Sequence, residues 1–123
     1  MPISVKADEL CQPAGAFVAT IQDFQKLELR VATITQAAPH PQADRLLVLE
    51  IQVGEERKRI VAGIRPFYQP QELVGKKIIV ANNLAPVTIR GVESQGMLLA
   101  ASTADALSLV VPERDLPDGA KVS

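Results

Sequence analysis

At 123 residues, 47% hydrophobic but only 3% aromatic, with a formal net charge of −1, the chain has the length of one domain and an aliphatic core. Thirteen basic residues against fourteen acidic ones exclude capture of polyanions by a bulk field, so any nucleic-acid contact must be local, and the four rings of Phe17, Phe24, Phe67 and Tyr68 exclude a surface of several stacked aromatics. One cysteine, Cys11, and one histidine, His40, exclude an internal disulfide and the usual zinc ligand sets.

No apolar run approaches the roughly 20 residues that span a bilayer, and Lys6 is followed at once by Asp8 and Glu9, so neither a membrane span nor a targeting segment is expected. A reducing cytoplasm is the expected location. No cofactor is expected either.

Residues 1–20 are poorly patterned, with Pro2, Pro13 and Gly15 as breaks, and are expected to form an arm ahead of a domain over 21–123. Val5 to Cys11 reads as a turn of helix or an arm on a neighbour. Cys11 reads as a semi-buried apolar residue, since no basic side chain lies within four positions. Thr20-Ile21-Gln22-Asp23-Phe24 sets a capping residue three positions before an acid and predicts one short helical turn.

Leu27 to Thr35 alternates apolar and polar until Ile34 falls out of phase with Leu27, Leu29 and Val31, which predicts a long strand with a bulge or bend. Pro39-His40-Pro41 predicts an exposed, extended loop in which His40 is structural rather than catalytic, because no acid/base partner stands nearby. Arg45 to Val53 is a strand with Leu47, Leu49, Ile51 and Val53 on one face; Gly54-Glu55-Glu56 turns it, and Arg57 to Ala62 returns as its hairpin partner. The bases Arg57, Lys58 and Arg59 on that rim suit a solvated edge that blocks aggregation or a phosphate contact equally well.

Gln69 to Gly75 predicts one helical turn with a proline at its start and a glycine stop. Lys76 to Ala81 is a β-branched strand, and Asn82 to Ala101 then places Arg90, Glu93, Ser94 and Gln95 just before the apolar run Met97 to Ala101. Leu107 to Val111 is a last strand, and the acids of the 113–119 tail are capping or solvated, since their spacing matches no hard-cation loop. Together these elements predict an all-β fold: a five-stranded OB-fold Greek-key barrel with a short helix between strands 3 and 4 and extra C-terminal strands. No nucleophile–base pair, phosphate-cradling loop or metal set points to an enzyme.

The segments Asp23 to Val31, Ala43-Asp44-Arg45-Leu46-Leu47, Val61-Ala62-Gly63-Ile64, Glu72 to Lys77 and Glu93-Ser94-Gln95-Gly96-Met97 closely resemble the structure-specific tRNA-binding domain, over about Ile21 to Lys121. That domain occurs as free-standing bacterial tRNA-binding proteins, at the C-terminus of many bacterial methionyl-tRNA synthetases and in endothelial monocyte-activating polypeptide II. The resemblance implies a non-catalytic homodimer that binds folded tRNA independently of anticodon, alone or with an aminoacyl-tRNA synthetase.

Carried over by position, the resemblance implies that Ser94 and Met97 lie on the RNA-facing surface as the Ser-x-Gly-Met signature, with Asn83, Pro86 and Gly91 on the approach. A hydroxyl and a thioether there can read a 2′-hydroxyl, phosphate or sugar face without a base code. This chain departs from close relatives in having Ala85, Val87 and Thr88 around Pro86, where a basic cluster is common. Arg90 is the remaining charge, and Arg57, Lys58, Arg59, Arg65, Lys76 and Lys77 are the residues able to replace the missing ones. A chaperone-like or protein-interaction dimer of the same fold, with weak or lost tRNA binding, is the alternative.

Overall fold

The computed structural model describes residues 18–123. The readings made of Val5 to Cys11, of Cys11 itself and of Phe17 lie outside the described residues. The cap expected from the sequence is present at Thr20. The Thr20 hydroxyl accepts from Asp23 N–H at 3.1 Å while the Asp23 carboxylate accepts from Thr20 N–H at 3.0 Å, and helix α1 (Ile21–Gln25) follows. This reciprocal pair satisfies two donors that a helix start otherwise leaves open.

Strands β1 (Leu29–Pro39), β2 (Leu47–Val53) and β3 (Glu56–Ala62) form a meander, with the two-residue turn Gly54-Glu55 between β2 and β3. Helix α2 (Pro70–Leu73) leads into β4 (Lys77–Ala81), which pairs β1 on its other side. Strand β7 (Met97–Leu98) adds to β4, so the sheet runs β3-β2-β1-β4-β7, antiparallel throughout and curled into the OB-fold. Between β4 and β7 stands a separate hairpin, β5 (Val87–Ile89) with β6 (Val92–Ser94). A second hairpin, β8 (Ala100–Ser102) with β9 (Leu107–Leu109), follows β7, and β10 (Lys121–Val122) returns to β1.

The barrel interior is aliphatic, as the composition requires. Leu47, Leu49, Ile51 and Val53 of β2 all point inward with Ile34, Ile60, Leu73, Ile78 and Val80, and each fully buried aliphatic side chain contributes roughly 1.5–3 kcal/mol relative to exposure. Leu73 plugs the barrel from α2, where Glu72 accepts from the Gln69 N–H at 2.8 Å.

The phase change in β1 has a cause that alternation alone does not show. Leu29 and Val31, with Ile79 and Ala81 of β4, form a second apolar cluster against Leu99, Ala120 and Val122, whereas Ala32 and Ile34 face the barrel. Strands β1 and β4 are therefore buried on both faces, and the C-terminal tail is the second cover. A bulge is present too, but it falls after Ile34, between Ile34 and Gln36, and leaves the Thr35 hydroxyl donating to Glu50 O at 3.1 Å. Ile34 itself exchanges backbone bonds with Gly75 and Lys76, which docks the end of α2 onto β1.

The tail is held by more than β10. Val31 N–H donates to Ala120 O at 2.9 Å, Gly119 N–H donates to Val31 O at 2.7 Å, and the Thr33 hydroxyl donates to Asp118. Of the tail acids, Asp118 and Asp115 thus bind the barrel, the latter through Lys77 at 2.9 Å.

At the other end of β1, the corner between α1 and β1 is clamped by two asparagines. Asn83 accepts from Glu28 N–H at 2.8 Å and donates to Lys26 O at 2.7 Å; Asn82 donates to the Glu28 carboxylate at 2.7 Å. That bond, with Arg30 3.6 Å away, holds the Glu28 carboxyl below its ordinary pKa. A lowered folded-state value means that the corner is stabilised above the ordinary carboxylate range and loses that stabilisation as pH falls through the folded-state value. Thermal melts of Glu28→Gln should therefore decline less steeply than wild type from neutral to acid pH; parallel acid limbs would remove Glu28 from the account.

Candidate nucleic-acid interface

The Ser-Gln-Gly-Met stretch is built from the inside. Ser94 is 2% exposed. Its hydroxyl accepts from Val61 N–H at 3.0 Å and donates to Gly96 O at 3.1 Å. Next to it, Gln95 N–H donates to Arg59 O at 2.8 Å, and the Gln95 side-chain carbonyl accepts from Arg59 N–H at 3.1 Å. These bonds join β3 to the chain leaving β6, across a seam that the strand ladder leaves open.

Gly96 then passes so close to β4 that a Cβ would sit 2.9 Å from Ala81 O, and its φ of +146° disfavours any side chain. Met97 pairs with Ala81 and leaves its side chain 53% exposed. In this geometry the serine and glycine close the barrel, and the methionine faces outward.

The same closure aims the β5–β6 hairpin. Its turn is Arg90-Gly91, with φ of +51° and +88°, the doubly left-handed form that a two-residue hairpin favours. A non-glycine residue there costs about 1 kcal/mol of backbone energy, so the fold gains nothing from an arginine at position 90. The hairpin lies against the 40–46 loop between β1 and β2, because His40 Nε2 bonds Ile89 O at 3.0 Å. The loop is exposed as expected, at Pro39, Pro41, Gln42, Asp44 and Arg45, but His40 itself is 3% exposed: its ring is a buried link between two loops.

At the other end of the 40–46 loop's sequence, Arg65 N–H donates to Arg45 O at 3.3 Å. The 40–46 loop is thus bonded both to the Arg90 hairpin and to the Arg65 segment, with its own Arg45 exposed. Among the described residues, Arg45, Arg65 and Arg90 form no ion pair within 4 Å. The loops joining strands 1–2 and 4–5 are where OB-folds receive oligonucleotides. Arg45 was not picked out as a contact in the sequence; its segment, Ala43-Asp44-Arg45-Leu46-Leu47, carried the resemblance, but no spacing signal marks the arginine itself.

The other expected cations are distributed unevenly. Arg57 is exposed and without an ion pair among the described residues. Arg59, on the same face of β3, holds Glu50 across the strands at 2.7 Å. Lys58 points the other way and donates to Asn82 O at 2.9 Å. All three line a shallow depression with Gln95, Glu50 and Glu93, so acids offset much of the rim's charge.

Lys76 and Lys77 are not brought to the clasp that Ser94, Gln95 and Gly96 form across the seam. Lys77 begins β4, four residues from Ala81, roughly 13 Å at strand rise, and it holds Asp115 and the Leu116 carbonyl. Asn83 lies on the approach, but both ends of its amide hold the α1–β1 corner.

A family model described as "Putative tRNA binding domain" matches residues 29–121. The chain belongs to that tRNA-binding domain family. A methionine–tRNA ligase of Caldanaerobacter subterraneus subsp. tengcongensis is 46% identical over 104 residues, which cover 85% of this chain and 16% of the ligase. This chain thus spans a small part of the length of the curated relatives it matches.

Among solved structures, a MetRS-related protein from Pyrococcus horikoshii is similar with a TM-score of 0.80 and 36% identity, over 86% of this chain and 98% of that one. The chaperone CsaA from Bacillus anthracis str. Ames is similar with a TM-score of 0.79 and 33% identity, over 86% and 99%. The expected tRNA-binding domain family and OB-fold both hold for this chain. Among the described residues, no helix is long and apolar enough to cross a membrane.

Within this tRNA-binding domain, removing the clasp and removing the hairpin charge have opposite signatures. Ser94→Ala leaves the buried Val61 N–H without an acceptor and should destabilise the fold by about 1–3 kcal/mol in chemical denaturation, and Gly96→Ala should do at least as much. Arg90→Gly, by relieving a left-handed residue, should leave the melting temperature unchanged or raised. A stable Ser94→Ala protein would dissolve the clasp.

Proposed function

We propose that this chain is a non-catalytic, cytoplasmic module that binds folded tRNA by shape and local charge, without cofactor or metal, as a homodimer that stands alone or serves a methionyl-tRNA synthetase. The observation that carries the reading is the match of residues 29–121 to the tRNA-binding domain model. The set of arginines without ion pairs around the 40–46 loop supplies its chemistry, because phosphate contacts position a polyanion and carry no sequence information.

In this reading Arg90, Arg65 and Arg57 contact phosphates, Arg45 joins them, and Met97 packs on a sugar or base face. Lys58 and Arg59 contribute through the same rim, each already holding a protein partner. Ser94 acts from beneath, by closing the barrel under Gln95 and Met97, and Asn83 acts by fixing the corner beside them. Lys76 and Lys77, at the far end of β4, reach only a ligand that wraps around the barrel, as a tRNA's long arm can. The scarcity of bases near Pro86 makes this binding weak in salt dependence, since each phosphate contact contributes roughly one unit of slope.

The dimer requires a self-complementary apolar face, for which Ile21, Phe24 and Leu27 stand exposed beside Val122. The similarity to the chaperone CsaA favours a second reading, in which such apolar surface holds unfolded protein.

Titration with folded and with denatured tRNA separates the two. Binding of the folded form alone is expected, and Arg90→Ala should lower the salt slope by about one with the fold intact. Equal or negligible binding to both RNAs, together with suppressed aggregation of an unfolded client, would favour the chaperone reading. Sedimentation at micromolar concentration is expected to give a dimer, and a stable monomer would refute that part.

A further inference from the structure

His40 is the one histidine of the chain, buried between two loops, and neither barrel packing nor phosphate contact accounts for a polar ring there. Its two nitrogens have fixed roles. A backbone N–H can only donate, so Nδ1, 3.0 Å from Gln42 N, accepts; a carbonyl can only accept, so Nε2, 3.0 Å from Ile89 O, carries the proton and donates. The backbone N–H of His40 also donates to Leu46 O at 3.0 Å, closing the same loop. One side chain thus holds the 40–46 loop through Nδ1 and the β5–β6 hairpin through Nε2.

Among the described residues, no other side-chain hydrogen bond reaches the hairpin's tip. The hairpin forms a two-stranded sheet of its own, separate from the barrel sheet. Its base is fixed by the Ser94 hydroxyl on Val61, and Val87 and Thr88 of its first strand are exposed. Ile89, whose carbonyl accepts the His40 Nε2–H bond, is the residue immediately before Arg90 and closes the turn opposite Val92.

We infer that His40 is the positioning residue of the tRNA interface: through its Nε2–H bond to Ile89 O it holds the Arg90 turn against the 40–46 loop, so that Arg90 and Arg45 meet one ligand together. The inference rests on the tRNA-binding reading for its functional half. Its mechanical half stands without it. On an untethered hairpin the guanidinium is not held where the ligand of the 40–46 loop presents a phosphate, and where the cost of ordering the turn exceeds what one exposed contact returns, that contact is not made.

Two amide replacements separate the nitrogens. His40→Asn keeps an acceptor near the Nδ1 position for Gln42 and removes the donor to the hairpin; His40→Gln keeps a donor near the Nε2 position and reaches Ile89. Backbone 15N relaxation of the free protein reads the mechanical half. His40→Asn should lower the order parameters of Arg90 and Gly91 while leaving β1 to β4 as in wild type, and His40→Gln should restore them; unchanged order at the turn in His40→Asn would overturn the inference whatever the RNA does.

Titration with folded tRNA at two salt concentrations reads the functional half. His40→Asn should weaken binding roughly tenfold and lower the salt slope by about one, as Arg90→Ala does. The double variant should be no weaker than either single one, because both remove the same contact. Additive losses, or a loss of affinity with the slope intact, would make His40 merely structural. A wild-type protein that binds no folded tRNA would instead sink the tRNA-binding reading, and the relaxation data would still decide the tether.

Discussion

The Ser94 hydroxyl takes a hydrogen bond from Val61 and gives one to Gly96, and the shape of the upper barrel follows from those two bonds. The strand ladder ends at β3 on one side and β7 on the other. An open edge of this kind exposes unpaired backbone groups, which a sheet must cover or pair. Here a side-chain hydroxyl and a side-chain amide do the pairing, with Gly96 allowing the chain to pass within touching distance of β4. With that seam closed, the β5–β6 hairpin has a fixed base, Met97 is turned outward, and Gln95 is set beside Arg59. A motif that reads in sequence as a recognition element is, in this chain, a way of finishing a barrel.

What the barrel presents is sparse in charge and depends on placement. Arg59 is matched by Glu50, and Lys77 by Asp115, so formal basic residues overstate the positive surface. Arg45, Arg65 and Arg90, without ion pairs among the described residues, sit on different loops and turns, and their value lies in how they are held rather than in their number. This is consistent with a chain whose net charge is close to zero and whose proposed partner is nevertheless a polyanion.

The core elements were legible because their causes are local. The Thr20–Asp23 cap, the alternating β2, the Gly54 turn and the Pro70 helix each announce themselves within a few residues. The phase slip in β1 was legible, but its main cause was not: Leu29 and Val31 are covered by Ala120 and Val122, residues at the opposite end of the chain. The β5–β6 hairpin is not among the predicted elements although Arg90-Gly91 between β-branched residues is a turn signal, because Pro86 and Gly96 interrupt the alternation on either side. For the site, residue type was legible and direction was not. Nothing in the order of residues says that the Ser94 hydroxyl points inward, that Lys58 points away from Arg57 and Arg59, or that His40 reaches across to Ile89.

Strand β10 has a consequence for how the protein is made. Leu29 pairs with Val122 and Val31 with Ala120 and Gly119, so the first strand of the barrel is completed by residues that leave the ribosome long after it. The meander of β1 to β3 can form as it emerges, since its contacts are short in sequence, but one face of β1 stays bare until the tail arrives. Contacts so distant along the chain slow folding, and an exposed apolar strand is open to other chains in that interval. A nascent polypeptide stalled a few residues short of Gly119 would hold the whole barrel sequence and lack the cover for its central strand.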